Sequence, residues 1–351
     1  MLGIDARAAR YTWTAALTIL LLCVVYLMRR TLFLFIVALL FAYLLAPLVN
    51  IIDRLIPADR TRNWALAIAY LIFVGVLFVA VTQIGSRVID QANSLAKSMP
   101  ALLDKLQQPA PAVPAGANSL KAELARKLQE QIAKSSTSLF TYLPNLGAKV
   151  LSLASNLLYV IIVPILGFFF LKDGRKIRGQ FLEFIDDESR RAMLDDLFVD
   201  VNLLLAHYMR ALLTLSLATF TSYSIFFTLL HVPFSILLAV LAAVLEVVPI
   251  VGPFAGGVII LIVTAASSGP FLAALAFLLV YRMFQDYVLA PLVMQSGVEV
   301  HPLLVLFGVF AGAEIAGIPG AFLSVPILAL IRIVYRRIRS RHITVTTVVH
   351  T

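Results

Sequence analysis

Charge is scarce in this sequence. Asp, Glu, Lys and Arg make up 13% of its 351 residues against 61% apolar, roughly half the charged share of a soluble globular domain. A water-soluble core cannot absorb so much apolar surface, whereas lipid can. Cysteine is nearly absent: Cys23 alone excludes an intrachain disulfide and leaves the redox compartment unread. There is no cysteine cluster, no His-Glu-x-x-His and no Walker loop. Ser296-Gly297, near His301, lacks an orienting third group and a nucleophile turn, and Gly252 to Gly257 follows no strand that would make it a phosphate cradle. The residues therefore point away from an enzyme and imply no cofactor or metal. The net charge of +9 does not indicate nucleic acid either, because the cations sit at the ends of apolar runs. Arg175, Lys176 and Arg178, and then Arg332, Arg336, Arg337, Arg339 and Arg341, follow the pattern of cytoplasmic anchoring to anionic headgroups.

What is present is a series of runs near the ~20 residues that span a bilayer. They predict an all-α polytopic integral membrane protein with about six spanning helices, two Pro/Gly-broken segments and a small α-helical extramembrane insert. The spans fall near 11–28, 32–52, 64–88, 150–171, 203–230 and 271–294. The first is read as a retained helix, since no small-residue cleavage site follows it. Residues 1–90 form an N-terminal three-helix region. Residues 91–148 form a soluble extracytoplasmic insert, with Pro109-Ala110-Pro111-Ala112-Val113-Pro114 and a helix-forming stretch at 119–134. Residues 149–202 carry the fourth span and a cytoplasmic amphipathic segment, 203–335 a transport region, and 336–351 a basic cytoplasmic tail. The Lys/Arg bias puts both termini inside a bacterial inner membrane, which requires a tight external turn at Arg29-Arg30.

The broken segments are 234–267 and 302–334. Proline removes a backbone donor and clashes with the preceding turn, while glycine frees the chain from helical geometry. Released backbone groups cost several kcal/mol in hydrocarbon, so such breaks belong inside protein or against a wet cavity. Pro249, Gly252 and Pro253 divide the first segment, and Gly317, Pro319 and Gly320 the second. The pieces are about 14–16 residues, rising only ~21–24 Å. They suit re-entrant hairpins, and two such segments point to a transport site. Kinked spanning helices are the plainer alternative.

An acid stands beside each break: Glu246 before Pro249, and Glu314 before Gly317. A carboxylate at membrane depth should be protonated, paired or turned to a polar cavity. Asp286 follows Arg282 by four residues, so one helical face can hold both as an ion pair. His301 opens the second broken segment. These groups could serve coupling to a proton or sodium gradient, with Glu246 and Glu314 foremost. Alternatively the pair is static, the glutamates cap hairpin ends and His301 is an interfacial cap. His207 and Arg210 either line the same cavity or snorkel to the interface.

From about 150 to 337 the order of motifs resembles the autoinducer-2 exporter family, the PerM-like permeases. The matching stretches are Phe168-Phe169-Phe170-Leu171-Lys172-Asp173-Gly174, His207-Tyr208-Met209-Arg210 and Glu246-Val247-Val248-Pro249-Ile250-Val251-Gly252-Pro253. They continue with Tyr287-Val288-Leu289-Ala290-Pro291-Leu292-Val293-Met294, His301-Pro302-Leu303, Gly312-Ala313-Glu314-Ile315-Ala316-Gly317-Ile318-Pro319-Gly320 and Val325-Pro326. The resemblance implies a homo-oligomeric permease exporting a small polar molecule, some relatives looking like sodium/proton antiporters. The sequence departs from that pattern at Gln285, where an acid is common, with Asp286 one place later, and at Ala211 and Gln295, where glycine is usual.

The expected function is secondary export of a small hydrophilic solute through the lipid bilayer, coupled to H⁺ or Na⁺. A monovalent cation/proton antiporter is the second reading, and a non-transporting membrane scaffold is the reading from another class.

Overall fold

The computed structural model describes residues 6–55, 62–107, 157–267, 269–293 and 301–348. The Pro/Ala stretch and helix-forming part of the insert, the start of the fourth span, Gln295 and Ser296-Gly297 lie outside them. The helices are α1 (Ala6–Leu27), α2 (Arg29–Leu55), α3 (Arg62–Ala80), α4 (Ser86–Gln107), α5 (Leu157–Glu183) and α6 (Glu188–Leu229). They continue with α7 (Ser235–Leu245), α8 (Val251–Ala266), α9 (Phe271–Phe284), α10 (Ala290–Val293) and α11 (Pro302–Val348). Single π-helical turns, Val81–Gly85 and Gln285–Leu289, join α3 to α4 and α9 to α10. Among the described residues no strand occurs, and six helical stretches are long and apolar enough to cross a membrane: Arg10–Leu27, Arg29–Leu55, Arg62–Ser98, Glu188–Leu229, Phe271–Val293 and Pro302–Arg337. The fold is the all-α polytopic membrane class that the composition predicts.

Both broken segments double back. In the first, α7 and α8 are 11 and 16 residues long, about 16 and 24 Å at 1.5 Å per residue, so neither alone matches a ~30 Å hydrocarbon core. The Cβ position of Gly256 lies 3.7 Å from Ala242 Cα, and that of Gly269 lies 3.4 Å from Pro233 Cδ. The two ends of the segment therefore meet, and α7–α8 is a helical hairpin. Its interior is apolar: Leu238, Ala239, Ala242, Ile259, Ile260, Ile262, Val263 and Ala266 are buried in one core with Tyr223 and Phe227 of α6 and Leu278 and Tyr281 of α9. In the second segment, α11 departs from helical geometry at Ala316 (φ −139°, ψ 17°) and Gly317 (φ 64°, ψ −146°). The positive φ at 317 is a conformation that glycine adopts without a Cβ penalty. The arms on either side touch backbone to backbone, Gly312 against Gly320, with Gly308 against Ser324 and Leu328. The return arm packs Phe322 and Leu323 onto Leu205, Met209 and Tyr208 of α6 and Leu40 of α2.

Three boundaries differ from those expected. The external turn at Arg29-Arg30 is absent: α1 passes to α2 through Met28 alone, whose N–H bonds to Val24 O and whose carbonyl accepts from Leu32 N–H, both at 2.9 Å. All residues from 10 to 32 are exposed, so α1 does not fold back on α2. Two arginines do not break a helix, because arginine is a good helix former. Nor does the chain leave the helical bundle at 91. Leu95 is buried in the hairpin core, and Gln91 Oε1 accepts from Leu237 N–H at 2.9 Å, capping a free donor at the start of α7. The boundary at 202/203 falls inside α6, a single helix of 42 residues begun by Asp187, whose Oδ1 accepts from Ser189 N–H and Arg190 N–H. Ion pairs gather on its early turns: Asp195 with Arg178 at 2.5 Å, and Asp196 and Asp200 with Arg337 at 2.9 and 2.6 Å.

Candidate functional site

The tip of the first hairpin is the residue run 246–250. Glu246 closes α7, its N–H bonding to Ala242 O at 3.0 Å. Pro249 supplies no donor, and the chain reverses at Ile250 (φ 63°, ψ −58°) with Val251 N–H reaching Pro249 O at 2.6 Å. This is a γ-turn of the positive-φ form, rare and strained, with a β-branched residue at its centre. Such a conformation costs of order 1–3 kcal/mol and persists only where its surroundings enforce it. Part of the enforcement is close packing: a Cβ on Gly252 would stand inside 3.0 Å of the Leu245 carbonyl.

Around the tip lies a closed polar cluster. Glu246, Gln285 and Thr219 are 8%, 4% and 1% exposed. Gln285 Nε2 donates to Glu246 Oε1 in a short hydrogen bond, and Thr219 Oγ1 donates to Glu246 Oε2 at 3.4 Å. Tyr281 OH lies 3.1 Å from Thr219 Oγ1. Three elements contribute: the hairpin tip, the middle of α6, and the junction of α9 with its π-helical turn. Gln285 begins that turn, and π-helical bulges recur at functional sites because they re-aim side chains within a helix. Both carboxylate oxygens thus face donors, the arrangement that stabilises a buried ionised carboxylate.

The remaining expected site residues are not gathered here. Glu314 is exposed near the tip of the second hairpin and makes no hydrogen bond or ion pair among the described residues. Arg282 Nε and Asp286 Oδ2 form the expected i,i+4 ion pair at 2.8 Å, with both side chains partly exposed beside the cluster. His301 accepts from Leu303 N–H at Nδ1, 3.2 Å away, which is the geometry of an N-cap on α11. His207 Nδ1 and Arg210 Nε each bond a carbonyl four residues back on α6, Leu203 O and Ala206 O. The break residues Pro249, Gly252, Pro253, Gly317, Pro319 and Gly320 all lie at or next to the two hairpin turns. Thr219 and Tyr281 were not singled out from the sequence. The available signal was a hydroxyl in each of two otherwise apolar helices, which is weak.

Comparison with known proteins gives a consistent picture. The family model described as "AI-2E family transporter" matches residues 16–340. YueF of Bacillus subtilis (strain 168), named for transport, is 25% identical over 308 residues, covering 83% of this chain and 79% of its own. PerM of Escherichia coli (strain K12), named as a permease, is 24% identical over 316 residues, 85% of this chain and 84% of its own. A protein of Methanothermobacter thermautotrophicus, also named for transport, is 25% identical over 323 residues, 87% and 86% of the two chains.

Proposed function

Since this chain belongs to the AI-2E transporter family and is a multi-pass membrane transporter, we propose that it exports a small hydrophilic solute across a bacterial inner membrane, driven by a proton gradient. The observation that carries the coupling is the buried carboxylate of Glu246 at the turn of a helical hairpin, with donors on both oxygens. Short hairpin arms with an ionisable group at the reversal suit a re-entrant element whose irregular backbone is buried in protein. A proton needs only the carboxylate itself, whereas a sodium ion would need Gln285 to turn its amide oxygen inward in place of the N–H. Glu314, exposed at the second tip, fits contact with the solute or the aqueous cavity better than ion coupling. The pairing of Arg337 with Asp196 and Asp200 brings the two basic stretches to one side, as a shared cytoplasmic face demands.

Two steps test this. Metabolite comparison of deletion and overexpressing cells, inside and outside, identifies the solute. Its efflux from proteoliposomes is then followed under an imposed pH gradient. Glu246→Gln should leave a basal flux that no longer responds to the gradient, whereas Glu314→Gln should change the apparent solute affinity and keep the response. Gradient-driven efflux at the wild-type level in Glu246→Gln would remove the coupling role. Collapse of a pH gradient by Na⁺ or Li⁺ without organic solute would instead establish the antiporter reading.

A further inference from the structure

The polar cluster has a direction. A carboxylate can only accept hydrogen bonds, whereas a carboxylic acid must also donate one. With Glu246 ionised every proton has a place: Gln285 Nε2 donates to Oε1, Thr219 donates to Oε2, and Tyr281 donates to Thr219 Oγ1. A proton on Oε1 would face the Gln285 N–H or oblige the amide to turn its oxygen inward, and in either case the bond is no longer charge-assisted. A proton on Oε2 would oblige Thr219 to accept from Glu246, turn its own hydrogen toward Tyr281, and leave the Tyr281 hydroxyl to find another acceptor. Tyr281 is 5% exposed and ringed by Tyr223, Phe277 and Phe284, so that hydrogen has to turn from Thr219 to the Ser222 hydroxyl, and the whole chain of donors reverses.

We propose that Thr219, Tyr281 and Gln285 form a polarity-sensing anchor that holds the tip of the first hairpin to α6 and α9 while Glu246 is ionised and lets it go when Glu246 is protonated. The three are positioning residues, acting on the tip through Glu246. The charged and titratable groups that bear on Glu246 are Tyr223 of α6 together with Tyr281, Arg282 and Asp286 of α9 and its π-helical turn. Arg282 and Asp286 neutralise one another in their ion pair, which leaves the proton on Glu246 as the change of charge at the tip. The strained γ-turn at Ile250 supplies the other half of the device, since a tip that loses its anchor has a conformational reason to move. This inference rests on reading Glu246 as the group that takes up the proton.

The test is hydrogen exchange of peptides covering 246–252 in the intact protein in lipid nanodiscs, across a pH series and corrected for intrinsic exchange. Peptides from 36–52 of α2, away from the cluster, serve as an internal control of folding. In the wild type, acid titration should speed exchange at the tip by at least about tenfold, the worth of one hydrogen bond to a charged group, with no change in the control peptides. Glu246→Gln should exchange fast at every pH. Thr219→Val should exchange fast even where the wild type is protected, and Thr219→Ser should restore protection. A tip whose exchange does not vary with pH in the wild type would overturn the proposal, and so would protection in Thr219→Val equal to wild type. If Thr219→Val unfolds, Gln285→Met gives the same reading, because Glu246 Oε1 then loses its donor. A tip that switches in a protein with no gradient-driven efflux would leave this anchor standing and sink the transport reading. Coupled efflux with a pH-blind tip would do the reverse.

Discussion

Two glycines five residues apart on α8 offer a severe test of the hairpin's packing, because the same substitution should have opposite effects at them. At Gly252 an added methyl would fall inside 3.0 Å of the Leu245 carbonyl, whereas nothing lies within 4 Å of the Cβ position of Gly257. Ordinary contact begins at 3.4 Å, so the backbone at the end of α7 would have to retreat by well over an ångström. Backbone yields less readily than a side-chain end. Overpacking of this kind costs about 1–3 kcal/mol, and the upper part of that range applies. Replacing glycine by alanine in a helix returns about 0.5–1 kcal/mol by restricting the unfolded chain. Gly252→Ala should therefore be destabilised by roughly 2 kcal/mol and Gly257→Ala stabilised by roughly 0.5–1 kcal/mol, a separation near 3 kcal/mol. The assay is unfolding in mixed micelles at increasing SDS fraction, with midpoints compared at constant detergent and lipid. Equal midpoints, or a less stable Gly257→Ala, would refute the close approach of the two arms.

Other consequences are open to measurement. Leu95→Ala should cost about 2–5 kcal/mol in the same assay, as expected for a core leucine; a surface-loop leucine would cost almost nothing. His301→Ala should lose about 0.5–2 kcal/mol as a helix cap, with the gradient dependence of efflux unchanged. A pH response altered by that substitution would reinstate His301 as a coupling group. Arg337→Ala should destabilise by less than about 1 kcal/mol, because its ion pairs are partly exposed, and the difference should shrink in high salt. A salt-independent loss would mean that packing rather than charge binds the second hairpin to α6.

The fold was legible where composition and backbone chemistry coincide. Long apolar runs announce membrane helices, and Pro249-Gly252-Pro253 and Gly317-Pro319-Gly320 mark the places where a helix cannot continue unperturbed. That the chain reverses at both, rather than merely kinking, needed the contacts of Gly256 with Ala242 and Gly312 with Gly320, which link residues distant in sequence. The helix through residue 91 was hidden by its polar composition. Gln91 and Leu95 are one polar and one apolar residue among many, and only the position of α7 gives them partners. The site was half legible. A carboxylate in hydrocarbon demands explanation, so Glu246 stood out, but Thr219 and Tyr281 cost little to place in an apolar helix and leave almost no mark. Gln285 drew notice only as a departure from the pattern of a family. Its position at a π-helical turn, where an extra residue shifts the facing of the helix, has no clear sequence signature.

The 42-residue length of α6 has a mechanical consequence. One uninterrupted rod carries Asp196 and Asp200, which grip the far end of the second hairpin, and Thr219, which touches the turn of the first. Those stations are about 28–35 Å apart along its axis at 1.5 Å per residue. Both hairpins are thus referred to a common ruler, and any change in their relative height would have to be taken up by bending within a hairpin or by sliding along the ruler.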